Sequence, residues 1–156
     1  MNIHRVGPVD PINVKTQISS GITTIAIPMG APVAIVATNA VPASLFTWTT
    51  DEATTRTNFV AAFCGMAESR TRIASADVRD ASVEVNMDGS YEFDVASGTA
   101  LVIGDFLGCA KAAGNALVDT VKKVTVRTEA IAICVEPMLS TGTRVRARLI
   151  NTLIRR

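Results

Sequence analysis

The stretch Ser82-Val83-Glu84-Val85-Asn86-Met87-Asp88-Gly89-Ser90-Tyr91-Glu92-Phe93-Asp94-Val95 decides the fold class. Val83, Val85 and Met87 alternate with Ser82, Glu84 and Asn86, and beyond the break Tyr91, Phe93 and Val95 alternate with Glu92 and Asp94. Successive side chains of a strand point to opposite faces, so this period of two places one apolar face on a core and one polar face outward. The Asp88-Gly89 step between the two runs tolerates positive φ, and the arrangement predicts a β-hairpin.

Working outward toward higher numbers, further short strands are expected at Phe106–Lys111, Ala116–Thr120, Lys123–Thr128, Ala130–Val135 and Thr143–Asn151. Gly-Asp, Ala-Gly-Asn, Glu-Pro and Ser-Thr-Gly signals separate them. Short strands at this spacing predict an all-β fold, a small β-barrel or sandwich. In the other direction, Phe59–Met66 is an apolar run expected to enter the core. Residues 38–58 read as a loop or short helical insertion, with Thr50 or Asp51 as the cap of one helical turn and with threonine weighing against more helix. Ile22–Ile27 and Val33–Ala37 are expected strands, and Pro28 and Pro32 place them at sheet edges or strand ends. Residues 1–20, punctuated by Gly7, Pro8 and Pro11, read as an extended N-terminal arm, leaving 21–156 as a single β domain.

Composition narrows the function. Apolar residues make up 48% of the 156, enough for a packed core, and with only 4% aromatics that core must be built from Val, Ile, Leu and Ala. The formal net charge of +1 lacks the basic excess of a general nucleic-acid binder. No opening stretch reads as a signal peptide, and the apolar runs fall short of the roughly 20 residues that span a bilayer, so no membrane association is expected. Cys64, Cys109 and Cys134 each sit in an apolar run, as expected of buried reduced thiols in a chain made in a reducing cytoplasm.

Catalytic equipment is sparse. His4 is the single histidine and falls in the expected arm, a poor place for a nucleophile's base. The cysteines are tens of positions apart, without zinc spacing. Gly98–Gly104 lacks the lysine and the following helix of a phosphate loop and reads as a turn. The expectation is therefore no catalytic residue, no metal and no cofactor.

Two charge patterns stand out. From Asp80 to Asp105 there are acids but no Lys or Arg, and Glu84 and Glu92 fall on the outward face implied by the alternation. Arg144, Arg146 and Arg148 alternate with Val145, Ala147 and Leu149, which lines three guanidinium groups along one face of a strand. Either pattern serves as a solvated face or as an interface in which arginine forks meet carboxylates, between subunits of a symmetric oligomer or on a repeated partner surface. Nucleic-acid contact by the arginines is a third reading, without aromatic stacking platforms or further basic excess to support it. Trp48, the single tryptophan, is a further interface candidate.

Tyr91-Glu92-Phe93-Asp94-Val95, Gly104-Asp105-Phe106-Leu107-Gly108, Asn115-Ala116-Leu117, Ala130-Ile131-Ala132-Ile133 and Thr143-Arg144-Val145-Arg146-Ala147-Arg148-Leu149, in that order, resemble the core of capsid decoration (cement) proteins of tailed bacteriophages. The resemblance covers residues 59–154. It implies a compact β domain, a homotrimer on the outer surface of a phage head, the major capsid protein as partner, no nucleic acid, and neither cofactor nor catalytic residues. Synthesis in the host cytoplasm and residence in the virion follow from it. The alternatives are a tail-tube or head-fibre structural protein, or a small β-barrel ligand-binding module.

Overall fold

The computed structural model describes residues 12–15, 18–19, 23–24, 26–37, 39–47, 51–68, 82–96 and 98–150. The fold is all-β apart from one helix, as the alternation predicts. In chain order the strands are β1 (Ile12–Lys15), β2 (Ile18–Ser19), β3 (Thr23–Thr24), β4 (Pro32–Val36) and β5 (Asn39–Pro42), then helix α1 (Glu52–Ala62). There follow β6 (Phe63–Ala67), β7 (Ser82–Asn86), β8 (Ser90–Asp94), β9 (Phe106–Lys111), β10 (Leu117–Val124), β11 (Ala132–Cys134) and β12 (Arg144–Leu149).

Two five-stranded antiparallel sheets carry the architecture. The first has the order β1-β7-β6-β4-β5 and the second β10-β9-β11-β12-β8, while β2 and β3 form a two-stranded ribbon. The second sheet curls until its edges meet, Val95 just past β8 bridging Val121 of β10. Its concave face and one face of the first sheet share the main core, which includes Phe59, Phe63, Met66, Tyr91, Phe93 and Leu107. On its other face the first sheet buries Val33, Cys64, Val83 and Val85 with Ile27 and Ala31. Both faces of β6 are thus covered, which is why its five residues are all buried.

The expected hairpin is corrected. Ser82–Asn86 and Ser90–Asp94 are strands, with Val83, Val85, Tyr91 and Phe93 buried as the alternation requires, but it fails at the end of the first run, where Asn86 is fully buried and Met87 only partly. They do not pair with each other: β7 lies between β1 and β6, and β8 lies beside β12 in the other sheet. The linking residues turn the chain from one sheet to the other. The buried Asn86 donates from its amide to Glu68 Oε1 at 3.0 Å, and Gly89, at φ 122°, offers its carbonyl to Leu149 N–H at 3.0 Å, handing the chain to β12. Alternation identifies a buried face but not the neighbouring strand, and here the two apolar faces belong to different core layers.

The segment 38–58 also differs from expectation. It contains β5, a 3-10 turn at Ala43–Leu45 and most of α1, an 11-residue helix that extends through Ala62. Asp51 is its cap, accepting from Thr54 N–H at 2.7 Å and from the Thr54 hydroxyl at 2.8 Å. Threonine disfavours helix, but Phe59 and Val60 are buried, and the Phe59 ring meets Phe46 edge-on at 4.9 Å. Tertiary packing outweighs propensity here. Farther along, β4 is interior, with Pro32 at its first position where no ladder donor is missed. The expected strands 116–120 and 123–128 are replaced by one strand, β10, which ends at Val124, and Arg127–Glu129 forms a 3-10 turn where the second strand was expected to continue. Within the expected arm, Ile12–Lys15 is extended and joins the first sheet on β7.

Candidate interaction surface

The arginine stripe is formed by β12, whose Val145, Ala147 and Leu149 enter the core while Arg144, Arg146 and Arg148 stay exposed. The neighbouring strand supplies acids on the same face: Arg144 lies opposite Asp94 and Arg146 opposite Glu92. Arg144 Nε donates to Asp94 Oδ1 at 3.2 Å, and its Nη1 stands 4.0 Å from Glu92 Oε2. Arg146 Nη1 is 3.9 Å from Glu136 Oε2, and Arg148 Nε is 3.9 Å from Asp88 Oδ1. The basic stripe and the acids around residue 92 are therefore brought together within one chain, forming a ladder of both signs.

Of the candidate interface residues, Arg144, Arg146, Arg148 and Glu92 share this surface. Glu84 does not, because β7 belongs to the other sheet. Trp48 lies outside the described residues. Beside the ladder is a pocket lined by Glu92, Glu136, Pro137, Arg144, Val145 and Arg146.

A second polar constellation, unread in the sequence, sits where α1 meets the curled sheet. The Arg56 side chain is 7% exposed; its Nε and Nη2 reach Glu129 Oε2 at 2.8 and 2.7 Å, and its Nη1 pairs with Glu52 one helical turn back. Lys122 of β10 binds the same Glu52 carboxylate at 2.6 Å. Burial alone would raise the pKa of Glu52, but the hydrogen bonds from Lys122 and Arg56 outweigh it and hold the carboxyl below its ordinary value. Gly108 leaves the space: a Cβ there would lie 2.4 Å from the Glu129 carbonyl oxygen and 3.0 Å from Arg56 Cδ. The Glu52–Arg56 spacing of four was the available signal, usable only once the helix is known. This cluster fastens the helix to the sheet.

Asp105 and the cysteines are also tied into the framework. Asp105, of the Gly104-Asp105 turn, accepts Val102 N–H at 3.0 Å and pairs with Lys123 at 2.8 Å; burial opposes ionisation, but these donors lower its pKa. All three cysteines are buried, and burial raises each thiol's pKa, Cys109 most strongly, which keeps them protonated and unreactive. Among the described residues no three His, Cys, Asp or Glu side chains are placed to hold a metal ion, and no helix is long and apolar enough to cross a membrane. No family model, curated protein or solved structure matches the chain.

Proposed function

We propose that the chain is a non-enzymatic structural protein of a phage particle, one that binds the outer surface of the head and stabilises it by bridging major capsid protein subunits. The observation that carries the reading is where the quoted motifs fall, within a resemblance that spans residues 59–154. The ordered motifs from Tyr91 to Leu149 that resemble decoration proteins fall on one structural unit, the curled sheet of β8 to β12. A decoration protein needs a rigid body with a broad outward surface, because many shallow contacts repeated over a lattice resist internal pressure. The ladder on β8 and β12 supplies such a surface on strands rather than mobile loops, and its mixed charges favour orientation over raw affinity.

Quantitative mass spectrometry of purified particles, combined with cryo-electron microscopy, tests the reading. The expected result is many copies per head, ordered on the outer shell around three-fold or quasi-three-fold positions. Absence from heads, with the protein found in tails or free, would overturn it.

A further inference from the structure

Two loops of the curled sheet, 98–105 and 135–143, are bonded into a ribbon. Leu101 and Met138 exchange both backbone hydrogen bonds, at 2.8 and 2.9 Å; Gly98 N–H reaches the Ser140 carbonyl at 2.8 Å, and Gly104 N–H reaches that of Cys134 at 2.9 Å. Leu101 and Met138 point into the main core. By the period of two, their neighbours point outward, and these are Ala100, Val102, Pro137 and Leu139, every one apolar and exposed. Val135 lies on the same outward face, and Ile103, in the turn just beyond the ribbon, is also exposed, with Leu139 79%, Ile103 68% and Val102 59% exposed. Solvated hairpin faces are ordinarily polar, and contiguous exposed apolar surface on a rigid element marks an interaction site.

We propose that this ribbon is the contact between copies of this chain. The argument for that occupant is the charge along its border. Pro137 belongs both to the ribbon and to the pocket lined by Glu92, Glu136, Arg144 and Arg146, so the apolar patch runs directly into two acids and two bases. A phosphate-rich or acidic partner would meet the glutamates, and a basic one the arginines. A second copy related by a two-fold axis presents both signs and is its own complement, as isologous interfaces are, so this contact makes a dimer and is separate from any three-fold contact. The border pairs stand at 3.9 and 4.0 Å, long enough that each guanidinium keeps donors for a neighbour's carboxylate. A formal net charge of +1 leaves little repulsion between copies. The inference shares with the proposed function only the expectation of a homo-oligomer, and head binding is not among its premises.

Sedimentation equilibrium of the full chain over a wide concentration range tests it. The wild type is expected at a multiple of 16.4 kDa. The pair Ile103→Asp with Leu139→Asp is expected to weaken association at least about tenfold while circular dichroism stays unchanged, as loss of a central apolar anchor does. Glu136→Arg and Arg146→Glu are each expected to weaken it, and together to restore it. Leu139→Cys with a short bismaleimide covers the case of a misfolded aspartate variant: cross-linked dimers are expected, the three natural cysteines being buried. A wild type monomeric at every concentration, or aspartate variants that fold and associate normally, would overturn the proposal. Uptake onto heads, measured separately, distinguishes the two readings. Oligomers that fail to bind heads support this contact and end the decoration reading. A monomer whose head binding is lost with Leu139→Asp assigns the ribbon to the coat and overturns the contact between copies.

Discussion

At the scale of single residues the most consequential side chain is Arg56, which the linear sequence does not mark. It is a buried cation between Glu52 and Glu129, and removing one member of such a group leaves uncompensated charge in a poorly solvated place. Arg56→Ala is expected to cost about 3–5 kcal/mol in urea unfolding. Arg56→Lys should recover little, because one ammonium cannot reproduce the planar fork that spans two carboxylates. The pH dependence separates into two directions. Glu52 and Asp105 have lowered pKa values, so their contribution is complete above the unfolded-state values and is lost as pH falls through the folded ones. Asp119 is the opposite case: burial raises its pKa, so its contribution is complete in acid and is lost as pH rises through the folded value. Asp119→Asn should therefore raise the thermal midpoint at pH 7 and leave it nearly unchanged at pH 3, which a pair of melting curves would show.

At the scale of elements, the strands were largely legible and their partners were not. Val145, Ala147 and Leu149 alternate with arginines, and β12 follows that pattern residue by residue, because one face is core and the other water. Tyr91 and Phe93 are read correctly for the same reason. Whether β7 folds back on β8 is a matter of which core layer each apolar face completes, and that information is spread over residues as distant as Ile12 and Leu149. Helix α1 was hidden in a different way. Its threonines argue against helix locally, and what holds it are contacts from outside the segment. Phe59→Ala is accordingly expected to cost about 3–5 kcal/mol, with loss of its edge-on contact to Phe46, as read by denaturant midpoints. Asp51→Ala should lower the thermal midpoint, whereas Asp51→Asn, which retains an accepting oxygen for Thr54 N–H, should retain most of it.

At the scale of the whole molecule, the outward surface of the curled sheet carries a charged ladder and, beside it, an apolar ribbon. The ladder's arginines were visible in the sequence as alternating residues, but their company was not, since Glu92 and Asp94 reach them only through the β8–β12 pairing. The ribbon went unread because Val102, Ile103 and Leu139 lie in segments without strand periodicity, and their exposure follows from the Leu101–Met138 bridge. Exposed ion pairs contribute little to folding, so Arg144→Ala is expected to change stability by no more than about 1 kcal/mol in urea. A large loss of particle binding in that variant would then belong to recognition and not to folding.

The strand order has a consequence for how the chain is made. Ile12 pairs with Val85, about seventy positions later, and β12 is inserted between β11 and β8. A ribosome adding roughly 5–20 residues per second leaves β1 without its partner for about 4–14 s. The second sheet closes last, because β12, which sits between β11 and β8, is the last of the twelve strands to emerge. All five strands of the first sheet have emerged by Asn86, but the face it turns to the main core stays uncovered until the second sheet follows. Until β12 emerges the nascent chain therefore presents an uncovered apolar sheet face and unpaired strand edges, a state that invites chaperone engagement before the finished fold exists.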